Sequence, residues 1–144
     1  MVKKFITNAI YSFFTLLIMS LIFTLGGFLV LDLFKFGVLI IFCAVLFLGY
    51  FIGHKLHYTK GIGFASIVLV PMIVFAVLFA LCIVGVPVIS MLIQYPAAVW
   101  AEAFGKVRLG DNNPIMFYGI AFAHYLVNSF ALFAGALKNK LYQI

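Results

Sequence analysis

Carboxylates are nearly missing from this chain. Three acidic residues, Asp32, Glu102 and Asp111, stand among 144. All charged residues together make up 8%, against about 25% in soluble domains. A water-facing surface cannot be assembled from that inventory, which excludes an ordinary soluble fold. So few acids, none of them inside an apolar run, also argue against intramembrane aspartyl or metal-dependent chemistry. Cysteine is as scarce. Cys43 and Cys82 both lie inside apolar runs with no Cys or His at metal-binding spacing, so both read as small apolar fillers. The chain has no His-Glu-x-x-His, no Gly-x-Ser-x-Gly and no phosphate-binding loop. No stretch is polar enough for a second, water-soluble domain, so residues 1–144 read as one unit.

What is there is apolar: hydrophobic residues make up 67% and the mean hydropathy is +1.31. A bilayer supplies the surroundings such side chains need, and it admits only helices or a closed barrel, because unpaired backbone groups are costly in hydrocarbon. Barrel strands alternate over about ten residues. The runs here are long and unbroken, so the reading is an all-α integral membrane protein of the cell membrane. The net charge of +6 does not point to nucleic acid. The lysines sit in pairs beside apolar runs (Lys3 and Lys4, Lys55 and Lys60, Lys138 and Lys140), the placement that orients a protein in a membrane.

The pattern predicts four spans, at about 6–30, 36–52, 64–84 and 115–137, arranged as two successive hairpins. The run from Phe5 to Leu31 far exceeds the h-region of a cleavable signal peptide, so it is expected to stay as the first span. Asn113 and Pro114 give the last helix a capped start. Between the third and fourth spans, Gly85 and Pro87 mark a break. The following segment, about 87–104, is expected to be an interfacial or re-entrant helix, bent at Pro96 and anchored by Tyr95 and Trp100. The rival is a fifth crossing. With four spans and both termini cytoplasmic, the inner side holds six lysines and no acid. The outer side holds Lys35, Lys106 and Arg108 with all three acids. Five spans also leave six basic residues inside, so the positive-inside rule ties on number. A tight turn beside Pro87 buried in lipid then counts against the fifth span.

The fourth span carries the strongest local signal. His124 and Asn128 lie one turn apart, so they share a face, and that face collects Ala121, Ala131 and Gly135. Small residues let backbones approach and polar groups bond across helices. Phe122, Leu126, Phe130 and Phe133 on the other side suit lipid. A second stripe, with Asn8, Ser12 and Thr15, runs along the first span and is a candidate partner for His124. With no acid inside any span, His124 is expected to be a neutral, hydrogen-bonded imidazole. Gly49 and Gly53 form a small-x-x-x-small step on the second span. His54 and His57 supply only half of a metal site, with no Cys or acid nearby to complete it.

No catalytic residues, metal or cofactor are expected. Two functions compete. One is a non-enzymatic accessory, regulatory or immunity-type protein that packs against another membrane protein or itself. The other is a subunit of a small transporter or pore using His124 and Asn128. A dry helix interface around His124 favours the first, and a cavity reaching it from one side of the membrane favours the second.

Overall fold

A computed structural model describes residues 1–56, 63–84, 87–104 and 114–142. Every regular element among them is helical. α1 covers Val2–Leu31, α2 Gly37–Gly53, α3 Val70–Val84, α4 Pro87–Phe104 and α5 Pro114–Tyr142. Each falls within a few residues of a segment read from the sequence. By length and composition, Val2–Leu31 and Tyr118–Lys138 are apolar enough to cross a membrane, and Gly37–Gly53 and Ala65–Leu81 are shorter apolar helices.

α3 is entered through a π-helical turn, Ala65–Leu69, in which the Val70 N–H bonds to the Ala65 carbonyl. The cause lies two residues beyond the turn. Pro71 has no N–H to donate, and in a regular helix its ring would press on the carbonyl four residues earlier. Widening the preceding turn relieves that contact. The Ser66 hydroxyl donates to the Gly63 carbonyl at 3.2 Å within the same widened stretch.

Contacts between residues of known rank give the direction of each helix. Along α1 and α2, Gly26 meets Ile41, Phe23 meets Phe42 and Met19 meets Gly49, so this pair is antiparallel. Along α2 and α5, Phe42 meets His124, Gly49 meets Ala131 and Gly53 meets Gly135, so these two are parallel. Along α3 with its π-helical lead-in and α5, Phe64 (just before the lead-in) meets Phe133, Phe75 meets Tyr125 and Phe79 meets Tyr118, which makes them antiparallel. α1 and α3 therefore run one way, α2 and α5 the other.

α2 and α5 approach most closely. A Cβ on Gly53 would lie 3.1 Å from the Gly135 Cα and run into the Leu132 carbonyl. A Cβ on Gly135 would lie 3.0 Å from the Gly53 Cα and run into the Tyr50 carbonyl. Backbone meets backbone here, which only glycine permits. Ala131 packs near Gly49 one turn further along.

The part of α4 whose side chains are described, residues 95–104, is not laid along the outside of the bundle. Pro96, Ala97, Ala98, Val99, Ala101 and Ala103 are all buried, and only Tyr95, Glu102 and Phe104 of its described side chains are exposed. A helix resting on a surface keeps one whole face exposed; this one is wedged among its neighbours. Val99 presses on Gly27 and Phe104 meets Phe36, so its C-terminal end lies at the end of the bundle where α1 passes into α2.

The faces of α5 also differ from the sequence reading. Phe122 packs against Phe79 and Phe133 against Phe64, so α3 covers much of the bulky face that was expected to meet lipid. The exposed strip of α5 is Gly119, Ala123, Val127, Phe130 and Ala134. Elsewhere large apolar side chains point outward over much of the bundle, including Ile10, Phe14, Ile18, Leu25, Ile40, Phe47, Phe51, Ile73 and Val77.

Candidate functional site

Four helices each contribute one ring to a cluster around His124. Phe23 comes from α1, Phe42 from α2, Trp100 from α4 and His124 from α5. Phe23 stacks on Trp100 at 5.3 Å and 27°, and lies 4.6 Å from the imidazole. Phe42 meets Trp100 edge to face at 5.0 Å and 78°, and lies 5.5 Å from the imidazole. Each such pair contributes about 0.5–1.5 kcal/mol beyond area burial. His124 is 4% exposed and Asn128 is fully buried.

Hydrogen bonds fix the ring. The Trp100 indole N–H donates to His124 Nδ1 at 3.2 Å, tying α4 to α5. An indole can only donate, and an imidazolium has no lone pair, so this bond requires a neutral ring with its proton on Nε2. The amide of Asn128 stands 3.0 Å from Nε2. Its nitrogen is drawn toward the ring, and its Oδ1 is buried without a partner. Turning the amide over lets Oδ1 accept the Nε2–H, and that is the orientation the tautomer demands.

The first-span stripe is buried as well: Asn8, Ser12 and Thr15 lie inside, followed along the helix by Ser20 and Thr24. Two of its four hydroxyls bond back to their own helix. Thr15 donates to the Tyr11 carbonyl at 2.7 Å and Thr24 to the Ser20 carbonyl at 2.8 Å. The α1 side chain that reaches His124 is Phe23 rather than Ser12 or Thr15. The small residues Ala121, Gly135, Gly49 and Gly53 are buried and Ala131 is half-buried. Sequence reasoning missed Trp100 as the partner of His124. The one available signal was chemical: this is the chain's single tryptophan, and its N–H needs an acceptor when buried.

The chemistry open to this arrangement is narrow. Both imidazole nitrogens are engaged, and no Asp or Glu is among the described buried residues. No group of three metal-ligating side chains occurs among the described residues. The His54 Nδ1–H donates to the Tyr50 carbonyl at 2.9 Å, beside the end of α2, and His57 lies outside the described residues. His124 forms part of the floor of a groove of about 250 Å³, together with Phe42, Trp100, Ile120, Ala123 and Val127. That groove is apolar and opens on the flank of the bundle, where Ala123 and Val127 are exposed, rather than at either end.

Scans of the chain against protein-family models, curated proteins and solved structures each give no match.

Proposed function

We propose that this chain is a multi-pass protein of the cell membrane that acts without catalysis, as an accessory, regulatory or immunity-type protein packing against a membrane partner. The observation that carries this reading is the buried, apolar setting of His124. Its ring is held neutral between Trp100 and Asn128 and walled by Phe23 and Phe42, as suits a helix-packing residue. The outward-pointing Leu, Ile, Val and Phe side chains fit hydrocarbon, and they leave wide apolar faces for a neighbouring helix.

The topology proposed is four spans with both termini cytoplasmic and α4 re-entrant. Helix direction supports it. A crossing by α4 would turn α5 parallel to α1, whereas α5 runs parallel to α2 and antiparallel to α3. The positive-inside rule then places the six lysines of the α1 start, α2 end and α5 end in the cytoplasm. Single cysteines test this in a background with Cys43 and Cys82 replaced. Cysteine at Asn112 is expected to react with a membrane-impermeant thiol reagent in intact cells, and cysteine at Thr59 or Asn139 to resist it. Labelling at 139 from outside would restore the fifth span.

Extraction of the tagged chain in mild detergent tests the function. A membrane protein is expected to co-purify in fixed stoichiometry and to be lost when the exposed flank is altered, for instance by Val127→Lys. The transporter reading rests on the polar atoms that the fold buries without partners, Ser12 Oγ and one end of the Asn128 amide. A chain that purifies alone and makes sealed vesicles permeable to protons or a small solute would put that reading first.

A further inference from the structure

One end of the bundle collects positive charge from three helices. Lys3 and Lys4 open α1, Lys55 follows α2, and Lys138 lies in the last turns of α5. Helix direction brings these positions to the same end, as the contact of Gly53 with Gly135 requires. Lys3, Lys4 and Lys55 are exposed. Lys138 sets its ammonium over the Tyr50 ring of α2, 5.6 Å from the centroid, so its charge is directed across the seam between α2 and α5. Lys60 and Lys140 follow closely in sequence, at positions outside the described side chains. The described acids lie elsewhere: Asp32 follows α1, and Glu102 is near the end of α4 that meets Phe36.

We infer that this lysine-bearing end is a binding surface for anionic phospholipid headgroups in the leaflet it faces. The inference rests on the membrane reading proposed above. The argument is charge complementarity. A membrane-embedded end with lysines on three helices meets lipid phosphates continuously, and a headgroup with net negative charge meets no repelling carboxylate among the described residues there. Each lysine near an anionic surface strengthens binding by about 1 kcal/mol, roughly fivefold in affinity. The selectivity is for headgroup charge, since the flanks beneath are apolar whichever lipid surrounds them.

The test uses the full chain in detergent, titrated with short-chain phosphatidylglycerol, short-chain phosphatidylcholine or inorganic phosphate, with thermal unfolding as readout. It is followed by reconstitution into vesicles of phosphatidylcholine alone or with phosphatidylglycerol. Phosphatidylglycerol is expected to raise the unfolding temperature at concentrations at least about tenfold lower than phosphatidylcholine needs, with the difference shrinking in high salt. Replacing Lys3, Lys4 and Lys55 together by glutamine should remove that preference, and Glu102→Gln at the other end should leave it intact. These three lysines are exposed, so the variant keeps the fold, and its unfolding temperature without lipid checks this. Equal responses to the two lipids, the same response to phosphate alone, or a preference that survives in the triple variant would overturn the inference. A chain that enters both kinds of vesicle and shows no preference sinks this inference alone. A chain that stays in the aqueous phase with both sinks the membrane reading and this inference with it.

Discussion

Gly135→Leu is expected to destroy the folded bundle, or to lower its unfolding temperature more than a glycine substitution whose Cβ meets only side-chain tips. The added side chain begins with a Cβ that meets the Tyr50 carbonyl and the Gly53 Cα, both of them backbone atoms of α2. Backbone cannot swing aside as a side-chain tip does, so α2 and α5 must separate along their length. Overpacking costs about 1–3 kcal/mol where side chains give way and more where they cannot. A cost of about 3 kcal/mol or more is expected here, or about 10 °C at the scale usual for a chain of this size. Gly53→Leu should act alike, because its Cβ meets the Leu132 carbonyl and the Gly135 Cα. Gly49→Ala should be much milder, since its Cβ meets the end of the flexible Met19 side chain. Gly119→Ala meets nothing within 4 Å and should be neutral or slightly stabilising through helix propensity. Unfolding of the four purified variants in one detergent gives the ranking. Gly135→Leu melting with Gly119→Ala would remove the close crossing of α2 and α5.

That crossing shows where reading the sequence stops. Gly49, Gly53, Ala131 and Gly135 were each recognisable as packing residues, because small side chains at fourfold spacing on an apolar helix have few other uses. Pairing them needs the knowledge that α2 and α5 are parallel neighbours, and no local pattern carries that. The helices themselves were legible, since the breaks fall at Gly, Pro and charged residues. Which faces are covered was not. Leu16 and Phe23 are buried while Ile18 and Leu25 on the same helix are exposed, and all four are equally apolar. In a soluble protein the contrast between polar and apolar residues marks the outside. Here large apolar residues lie on both the exposed and the buried faces, so the inward turn of Phe122 and Phe133 on α5 had no sequence signature. Only the polar residues kept a signal. The spacing of His124 and Asn128 put them on one face, and they do hydrogen-bond. Trp100 was read as an anchor at the membrane surface because aromatic residues near a break usually are. Its actual place depends on α4 being wedged into the bundle, which is a tertiary fact.

Substitutions at His124 are expected to separate packing from transport. A glutamine there can accept the Trp100 indole proton through its oxygen and donate to Asn128 through its nitrogen, reproducing both bonds of the neutral ring. His124→Gln should therefore be nearly normal in abundance and in association with the membrane partner proposed for it. His124→Leu fills similar space but leaves the Trp100 N–H and the Asn128 amide without partners, at a cost of about 0.6–2 kcal/mol, the range for hydrogen bonds between helices in membranes. Trp100→Phe removes the donor and keeps most of the ring contacts with Phe23 and Phe42, so its cost should fall in the same range. Because both substitutions delete one shared bond, the double variant His124→Leu with Trp100→Phe should cost less than the two singles added together. Trp100→Ala, by contrast, empties the centre of a four-helix cluster and should cost about 3–5 kcal/mol. A proton-coupled transporter behaves differently: glutamine cannot exchange a proton near neutral pH, so His124→Gln would be folded, abundant and inactive. Retained function in His124→Gln with graded losses of stability in the other variants is the expected outcome. A stable but functionless His124→Gln would transfer the role of this residue from holding α4 against α5 to moving protons.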